Sequence, residues 1–323
     1  MANGPAQEHL PNLSPQPQLS EGSTDEAREA EVAKYVDIYS RGFEVPSVSA
    51  SSTPIEHTRC HCVLLTGATG ILGSHLFEQL SQQVDVRQVV CVNRHINTPV
   101  TARQQQALSS RGIVLSTSEQ SKLRFIETNT SKPRLGVSPT DHEWLPISGK
   151  RPVKAFTAQF ESLRHLVDLA RDIASQRLKG FQVVFQLVSS IGVVGHYPLW
   201  SGRTHVPKER MEVKSVLTNG YCEAKFVSER MLKATLHRYP QLFLVMTARL
   251  GQIAGSQTSG YWNPIEHLSF LIKSSQSLRV LPSFEGTLSW VPVNNVAGTL
   301  TYLLLANGAA YLPYRQPGRP AMG

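Results

Sequence analysis

Cys62-Val63-Leu64-Leu65-Thr66-Gly67-Ala68-Thr69-Gly70-Ile71-Leu72-Gly73 decides the fold. Its first five residues form a continuous apolar run closed by a threonine, the pattern of a strand covered on both faces. The glycines follow with GxxGxxG spacing, and Ile71 to Gln82 reads as a helix. Strand, glycine turn and helix in this order make a nucleotide-binding turn. Gly67 permits the tight turn, Gly70 lets backbone approach a pyrophosphate, and Gly73 lets the helix pack closely on the strand. The helix start offers free N–H groups and the positive end of its dipole to an anion. Gly67, Thr69, Gly70, Ile71, Leu72 and Gly73 are therefore the expected phosphate contacts. A glycine triplet alone is only a turn; the flanking strand and helix give it meaning.

Working outward, Val89–Val92 reads as a second buried strand, and its C-terminal end identifies the dinucleotide. An acidic residue there would bind the ribose hydroxyls of NAD. The chain has Asn93-Arg94-His95 instead. Arg94 suits the adenosine 2′-phosphate of NADPH through paired hydrogen bonds. Arg103, on a helix expected over 101–109, is either a second phosphate contact or a solvated helix charge. Further strands are expected at Leu123–Glu127, Gln182–Val188 and Leu242–Thr247. Between them lie helices over Ala155–Ala174, with an apolar stripe from Phe156 through Ala170, and Tyr221–His237. This alternation predicts an α/β fold, a Rossmann-type doubly wound parallel sheet with right-handed crossovers.

Leu187-Val188-Ser189-Ser190 ends a strand, so its hydroxyls reach the carboxyl edge of the sheet, where ligands bind. Tyr221-Cys222-Glu223-Ala224-Lys225 opens a helix and places a phenol and an ammonium on one face. Carbonyl reduction needs a hydride on carbon and a proton, or a strong hydrogen bond, on oxygen. A tyrosine is a poor acid–base group near neutrality, and a nearby lysine ammonium favours tyrosinate. Lys225 also suits the nicotinamide ribose, so Tyr221 and Lys225 are expected at both catalyst and cofactor. YxxxK by itself is an ordinary surface helix; its place after a nucleotide turn and a strand-end serine pair argues for chemistry. The spacing leaves Ser189 and Ser190 both open as the oxyanion donor.

The formal net charge of +8 suits an anionic ligand such as a nucleotide or a phosphopantetheine-linked substrate. No dense basic block is interleaved with aromatics, which argues against nucleic acid. Cys60-His61-Cys62 has no second ligand pair at zinc spacing, so no metal is expected, and the four cysteines read as reduced, buried thiols. No signal segment or membrane-length apolar run is present, so the reading is a cytoplasmic protein without a membrane partner. Residues 1–59 read as a flexible lead carrying one helix, capped near Thr24 and running to about Tyr39. Residues 60–323 form the nucleotide-binding domain.

Longer stretches carry a resemblance. They are Ser131-Lys132-Pro133-Arg134-Leu135-Gly136, Ser148-Gly149-Lys150-Arg151-Pro152-Val153, Ser189-Ser190-Ile191-Gly192-Val193-Val194-Gly195, Gly251-Gln252-Ile253-Ala254-Gly255-Ser256, Gly260-Tyr261-Trp262-Asn263 and Leu288-Ser289-Trp290-Val291-Pro292-Val293. With the glycine turn and the YxxxK helix, they resemble the extended short-chain dehydrogenase/reductases. The likeness is greater to the terminal thioester-reductase domains of fungal nonribosomal-peptide-synthetase-like enzymes and carboxylic acid reductases. The resemblance implies NADPH-dependent reduction of a carrier-bound thioester to an aldehyde, or onward to an alcohol, in secondary metabolism. It places the catalytic Ser at Ser190, the Tyr at Tyr221 and the Lys at Lys225, and puts Tyr261-Trp262-Asn263 and His267 towards the substrate. Without the family, Tyr261 and Trp262 read as packing residues.

Three departures stand out. Only Leu145-Pro146-Ile147 bridges the place where the family has a further strand, so the sheet is expected to lack its fourth, central strand. Asn129 replaces an acidic residue beside the adenine. After Leu305 the Pro/Gly-rich tail does not match the family's substrate helices, so a reduced C-terminal substrate region is expected. No carrier or adenylation domain is seen, which makes any carrier a separate chain. Two other readings remain, a small-molecule ketone or aldehyde reductase and an inactive binding relic.

Overall fold

The computed structural model describes residues 24–46, 60–94, 96–128, 152–176, 181–203, 205–209, 211–264, 266–283 and 290–306. Helix α1 (Asp25–Ser40) opens on Thr24, whose hydroxyl accepts from the Ala27 N–H. The nucleotide half follows with strand β1 (His61–Thr66), helix α2 (Ile71–Gln82) and strand β2 (Val86–Arg94). Helices α3 (Val100–Ser109) and α4 (Thr117–Ser121) lead to strand β3 (Leu123–Thr128). Ser116 and Glu119 cap α4 reciprocally. The second half contains α5 (Thr157–Ser175), β4 (Val183–Ser190), α6 (Tyr197–Ser201), α7 (Gly220–Ala234) and β5 (Phe243–Leu250). It closes with β6 (Gln252–Ala254), α8 (His267–Leu278), β7 (Trp290–Pro292) and α9 (Val293–Leu305).

Every strand pair is parallel. β1 pairs β2 and β2 pairs β3, with Val63 opposite Val89 and Val89 opposite Leu123. β4 pairs β5 from Val183–Phe243 to Ser190–Leu250, and β6 pairs β7. Parallel strands joined through helices give the expected α/β Rossmann-type architecture. Among the described residues β1 bonds to no strand but β2, and β4 to none but β5, so the sheet is parted between β1 and β4. A reduced sheet is consistent with this parting. Leu145–Ile147, where the shortening was read, lies outside the described residues, as do Asn129, His95 and the tail after residue 306.

Helix α9 spans the parting. Val296, Ala297 and Leu300 pack with Leu76 of α2, with Leu65 of β1, and with Val188, Ala248 and Leu250 of β4 and β5. Gln186 also donates to the Leu300 carbonyl. On the opposite face of β4 and β5, Phe160, Leu163 and Val167 of α5 meet Phe226, Val227 and Met231 of α7. The stripe predicted on α5 is thus its buried face, and a 3-10 turn at Val153–Phe156 precedes it.

Three expectations are corrected. β1 is not covered on both faces: Val63 and Leu65 pack inward, whereas Cys62 and Leu64 are exposed, Leu64 at 40%. Alternate residues of a strand point to opposite faces, and one face of β1 lacks a covering layer among the described residues. Cys60 and Cys62 are consequently exposed; only Cys91 and Cys222 are buried, and burial pushes the Cys91 thiol up to about 12. Helix α1 is no loose lead. Val32 and Tyr35 are buried in the core with α5 and α7, and the Tyr35 ring lies 5.4 Å from that of Phe160. No helix of the described residues is long and apolar enough to cross a membrane.

Candidate active site

The turn from β1 into α2 is held from behind and open in front. Gly67 has φ +72°, a conformation that a side chain strains. Its carbonyl accepts from the Gly70 N–H at 2.9 Å, closing the turn. A Cβ at Gly73 would lie 2.0 Å from that same carbonyl, so only glycine lets α2 start this close to β1. Ser74 and Gln104 both donate to the Ala68 carbonyl, and Arg111 donates to that of Thr69 at 3.1 Å. Gly67 and Gly70 face solvent, while Thr69, Ile71 and Leu72 are half-buried. No side chain caps α2, which leaves its first-turn N–H groups to an anion. These residues fit a dinucleotide pyrophosphate.

Arg94 ends β2 on the same edge. Burial and the neighbouring Arg103 hold its pKa below the ordinary arginine value. Two adjacent cations favour an anion between or beside them. Arg103 is otherwise committed: it donates to the Thr98 and Arg94 carbonyls and pairs with Glu127 at 3.1 Å. It braces the Arg94 loop, a role that neither of its sequence readings foresaw.

Ser190, Tyr221 and Lys225 come together at the end of β4. The Ser190 hydroxyl accepts from the Gly192 N–H at 3.1 Å and lies beside the Tyr221 phenol, whose pKa it works to lower. Ser189, the competitor, is buried and donates to Glu229 at 2.6 Å. The strand end thus gives one hydroxyl to the α7 interior and the other to the open edge. Lys225 donates to the Val188 carbonyl at 2.9 Å, and its nitrogen lies 5.7 Å from the Tyr221 ring centre. Asn219 caps α7 by accepting from the Cys222 N–H, fixing the turn that carries Tyr221.

The electrostatics correct one expectation. The Tyr221 pKa is raised, not lowered: burial around the hydroxyl and the Cys222 thiol push it up, and only the Ser190 hydrogen bond opposes them. Tyr221 as a whole is 45% exposed. Lys225 does not offset the rise, because its ammonium turns to the Val188 carbonyl. Burial lowers the Lys225 pKa, and Glu229 one turn along partly restores it. A protonated phenol beside a strand-end hydroxyl is a proton donor, the polarity that a reduction needs.

Sequence reasoning missed Glu229, which accepts from Ser189 and from Arg249 of β5 through two bonds of 3.0 and 2.7 Å. Its four-residue offset from Lys225 was the available signal. Tyr261 and Trp262 are half-buried and each meets another side chain. The Tyr261 ring lies 5.7 Å from the Arg111 guanidinium, and Trp262 meets Trp290 edge-on at 5.3 Å. The His267 side chain lies outside the described residues. A cavity of about 400 Å³, bordered by Tyr197, Trp200, Arg203 and Met211, excludes Ser190, Tyr221 and Lys225 from its lining. Among the described residues no three metal-binding side chains gather.

The model of the family described as male sterility protein matches residues 65–149 and 150–300. The break falls just past Leu145–Ile147. A non-reducing polyketide synthase of Talaromyces marneffei, pks11, is 48% identical over 98% of this chain and 13% of its own length. Another, pigA of Monascus ruber, is 52% identical over 91% of the chain and 12% of its own length. The chain therefore spans about an eighth of these relatives. The Talaromyces alignment runs over 337 residues, more than the 323 of this chain, so that relative carries residues missing here. The terminal R domain of the myxalamid PKS-NRPS pathway superposes with a TM-score of 0.64 at 19% identity, covering 89% of this chain and 71% of that one. The PhqB reductase domain of Penicillium fellutanum gives 0.60 at 19% identity, covering 86% and 69%.

Proposed function

The chain belongs to the male sterility protein family, within the extended short-chain dehydrogenase/reductases, and on that premise we propose that it reduces a carrier-bound thioester to an aldehyde with NADPH. The observation that carries this reading is the gathering of Ser190, Tyr221 and Lys225 where the carboxyl end of β4 meets the start of α7. The relatives are polyketide synthases, and one solved neighbour is a thiolation-reductase di-domain, which favours an acyl group on a phosphopantetheine arm. Gly67–Gly73 would hold the pyrophosphate, Arg94 the 2′-phosphate, and Lys225 with Tyr221 the nicotinamide ribose.

The bound dinucleotide supplies a hydride to the thioester carbonyl carbon. Ser190 and Tyr221 donate hydrogen bonds to the carbonyl oxygen and stabilise the charge that grows there. Tyr221 passes its proton to that oxygen, giving a hemithioacetal. Collapse breaks the C–S bond, returns the hydroxyl proton to Tyr221 and releases the thiol, whose sulfur takes a proton from water. The balance is one hydride and one proton consumed, with one aldehyde and one thiol formed. Lys225, one turn along α7 and held by the Val188 carbonyl, would bind the nicotinamide ribose.

The test is NADPH oxidation with an acyl-carrier thioester. Tyr221→Phe lowers kcat by at least about a hundredfold, the usual scale of acid catalysis. Arg94→Ser erodes the preference for NADPH over NADH. A Tyr221→Phe variant as fast as the parent overturns the proposal. A free aldehyde turning over faster than the thioester assigns the site to a small carbonyl substrate instead.

A further inference from the structure

We propose that Arg28, on the N-terminal helix and outside the family match, is a positioning residue for the Ser190–Tyr221–Lys225 group. The proposal rests on the reductase reading above. Arg28 is 6% exposed, unusual for an arginine. Its guanidinium is divided three ways: Nε to Glu223 at 2.7 Å, Nη1 to Asp25 at 2.8 Å, and Nη2 to the Val216 carbonyl at 2.9 Å. Asp25 belongs to α1 itself; the other two acceptors flank the start of α7.

Glu223 lies midway between Tyr221 and Lys225 in sequence. At about 100° per residue it points to the face of α7 opposite both of them. An anchor there fixes the rotation of the helix about its axis, and so where the phenol and the ammonium point. Val216 is the second anchor. The next residue, Leu217, donates to the Gly192 carbonyl at 2.9 Å, and Gly192 follows Ser190 by two residues. Arg28 therefore ties the helix bearing Tyr221 and Lys225 to the loop that supports Ser190. Lysine can replace the charge but not the three-way fork. Around this contact Glu29 pairs with Arg230 of α7, and Arg164 of α5 donates to the Tyr39 and Arg41 carbonyls. These contacts seat α1, so loss of the fork need not detach the helix.

The experiment compares full-length parent, Arg28→Lys, Arg28→Ala and Glu223→Gln. Rates are measured per folded molecule with NADPH and an acyl-carrier thioester, and amide hydrogen exchange is measured without any substrate. Arg28→Lys lowers kcat by at least about tenfold through misplacement, while KM and NADPH affinity stay within about twofold because residues 67–73 lie in the other half. Exchange over 216–225 speeds up in Arg28→Lys, and over 86–94 it does not. Glu223→Gln reproduces the effect, and the double variant adds little to it. A variant that melts lower yet keeps the parental kcat and the parental exchange over 216–225 overturns the proposal. A parent without turnover defeats the reductase reading alone. Exchange then decides Arg28: faster exchange over 216–225 supports the positioning role, and no change rejects it.

Discussion

Ser189 and Ser190 are chemically identical, and their partners separate them. Glu229 takes the Ser189 hydroxyl and is itself gripped by Arg249, so Ser189 is fixed inside the fold while Ser190 turns to Tyr221. The same carboxylate opposes the effect of burial on Lys225. The sign of the pH dependence follows. Burial raises the Tyr221 pKa above the ordinary phenol value, which keeps the phenol protonated as pH climbs through neutrality, and lowers that of Lys225 below the ordinary lysine value. The rate of reduction therefore falls as pH rises and Lys225 deprotonates, earlier than an ordinary lysine would make it fall. Lys225→Arg, which keeps its charge, moves that fall to higher pH. A pH–rate profile of the chemical step checks this, and an alkaline limb at the same place in Lys225→Arg contradicts the assignment. Of these residues, sequence pointed to Tyr221 and Lys225 by helical spacing. Spacing left the serines tied, because which hydroxyl is buried depends on a carboxylate forty residues away, and only the family resemblance chose Ser190.

At the level of elements, the site is made by the close approach of the loop after β4 to the start of α7. A Cβ on Gly192 would sit 2.3 Å from the Cys222 sulfur, closer than any side chain tolerates, but 3.5 Å from the Cys222 Cβ. Gly192→Ala must push the loop off α7 and carry Ser190 away from the phenol. Overpacking of this kind costs about 1–3 kcal/mol, and kcat should fall with Tm. Removing the sulfur relieves the clash, so Gly192→Ala/Cys222→Ala recovers both. Thermal melts and steady-state rates on the four proteins test it; a double variant no better than the single one means the approach is not what holds Ser190. The boundaries of α2, α3 and β3 were legible to within a residue or so because periodicity and glycine punctuation are local signals. α4, α6, α8 and α9 were not foreseen. α4 and α6 are five-residue helices, and neither is long enough to display a periodic stripe.

Across the whole molecule, two parallel sheets share α9 rather than a common strand among the described residues. One face of β1 stands open at Cys62 and Leu64, and Val184 of β4 is also exposed. In a continuous sheet these residues would be covered, and both strand edges paired. Inserting a strand-forming segment between residues 144 and 148 should raise Tm by at least about 5 °C, the scale that a kcal/mol or two produces. It should also shield Cys62 from thiol reagents. An unchanged melt with Cys62 still reactive counts against a missing central strand. By itself, the sequence determined the strand–turn–helix that begins the Rossmann half, the parallel alternation after it, and the pairing of Tyr221 with Lys225. Each of these rests on spacing within a single element, where backbone geometry turns residue order directly into position. Only the tertiary structure decided that α1 belongs to the core, that Ser189 is taken up by Glu229, and that Arg28 grips the back of α7. Those outcomes depend on burial and on partners brought together from distant parts of the chain, and no local pattern encodes them.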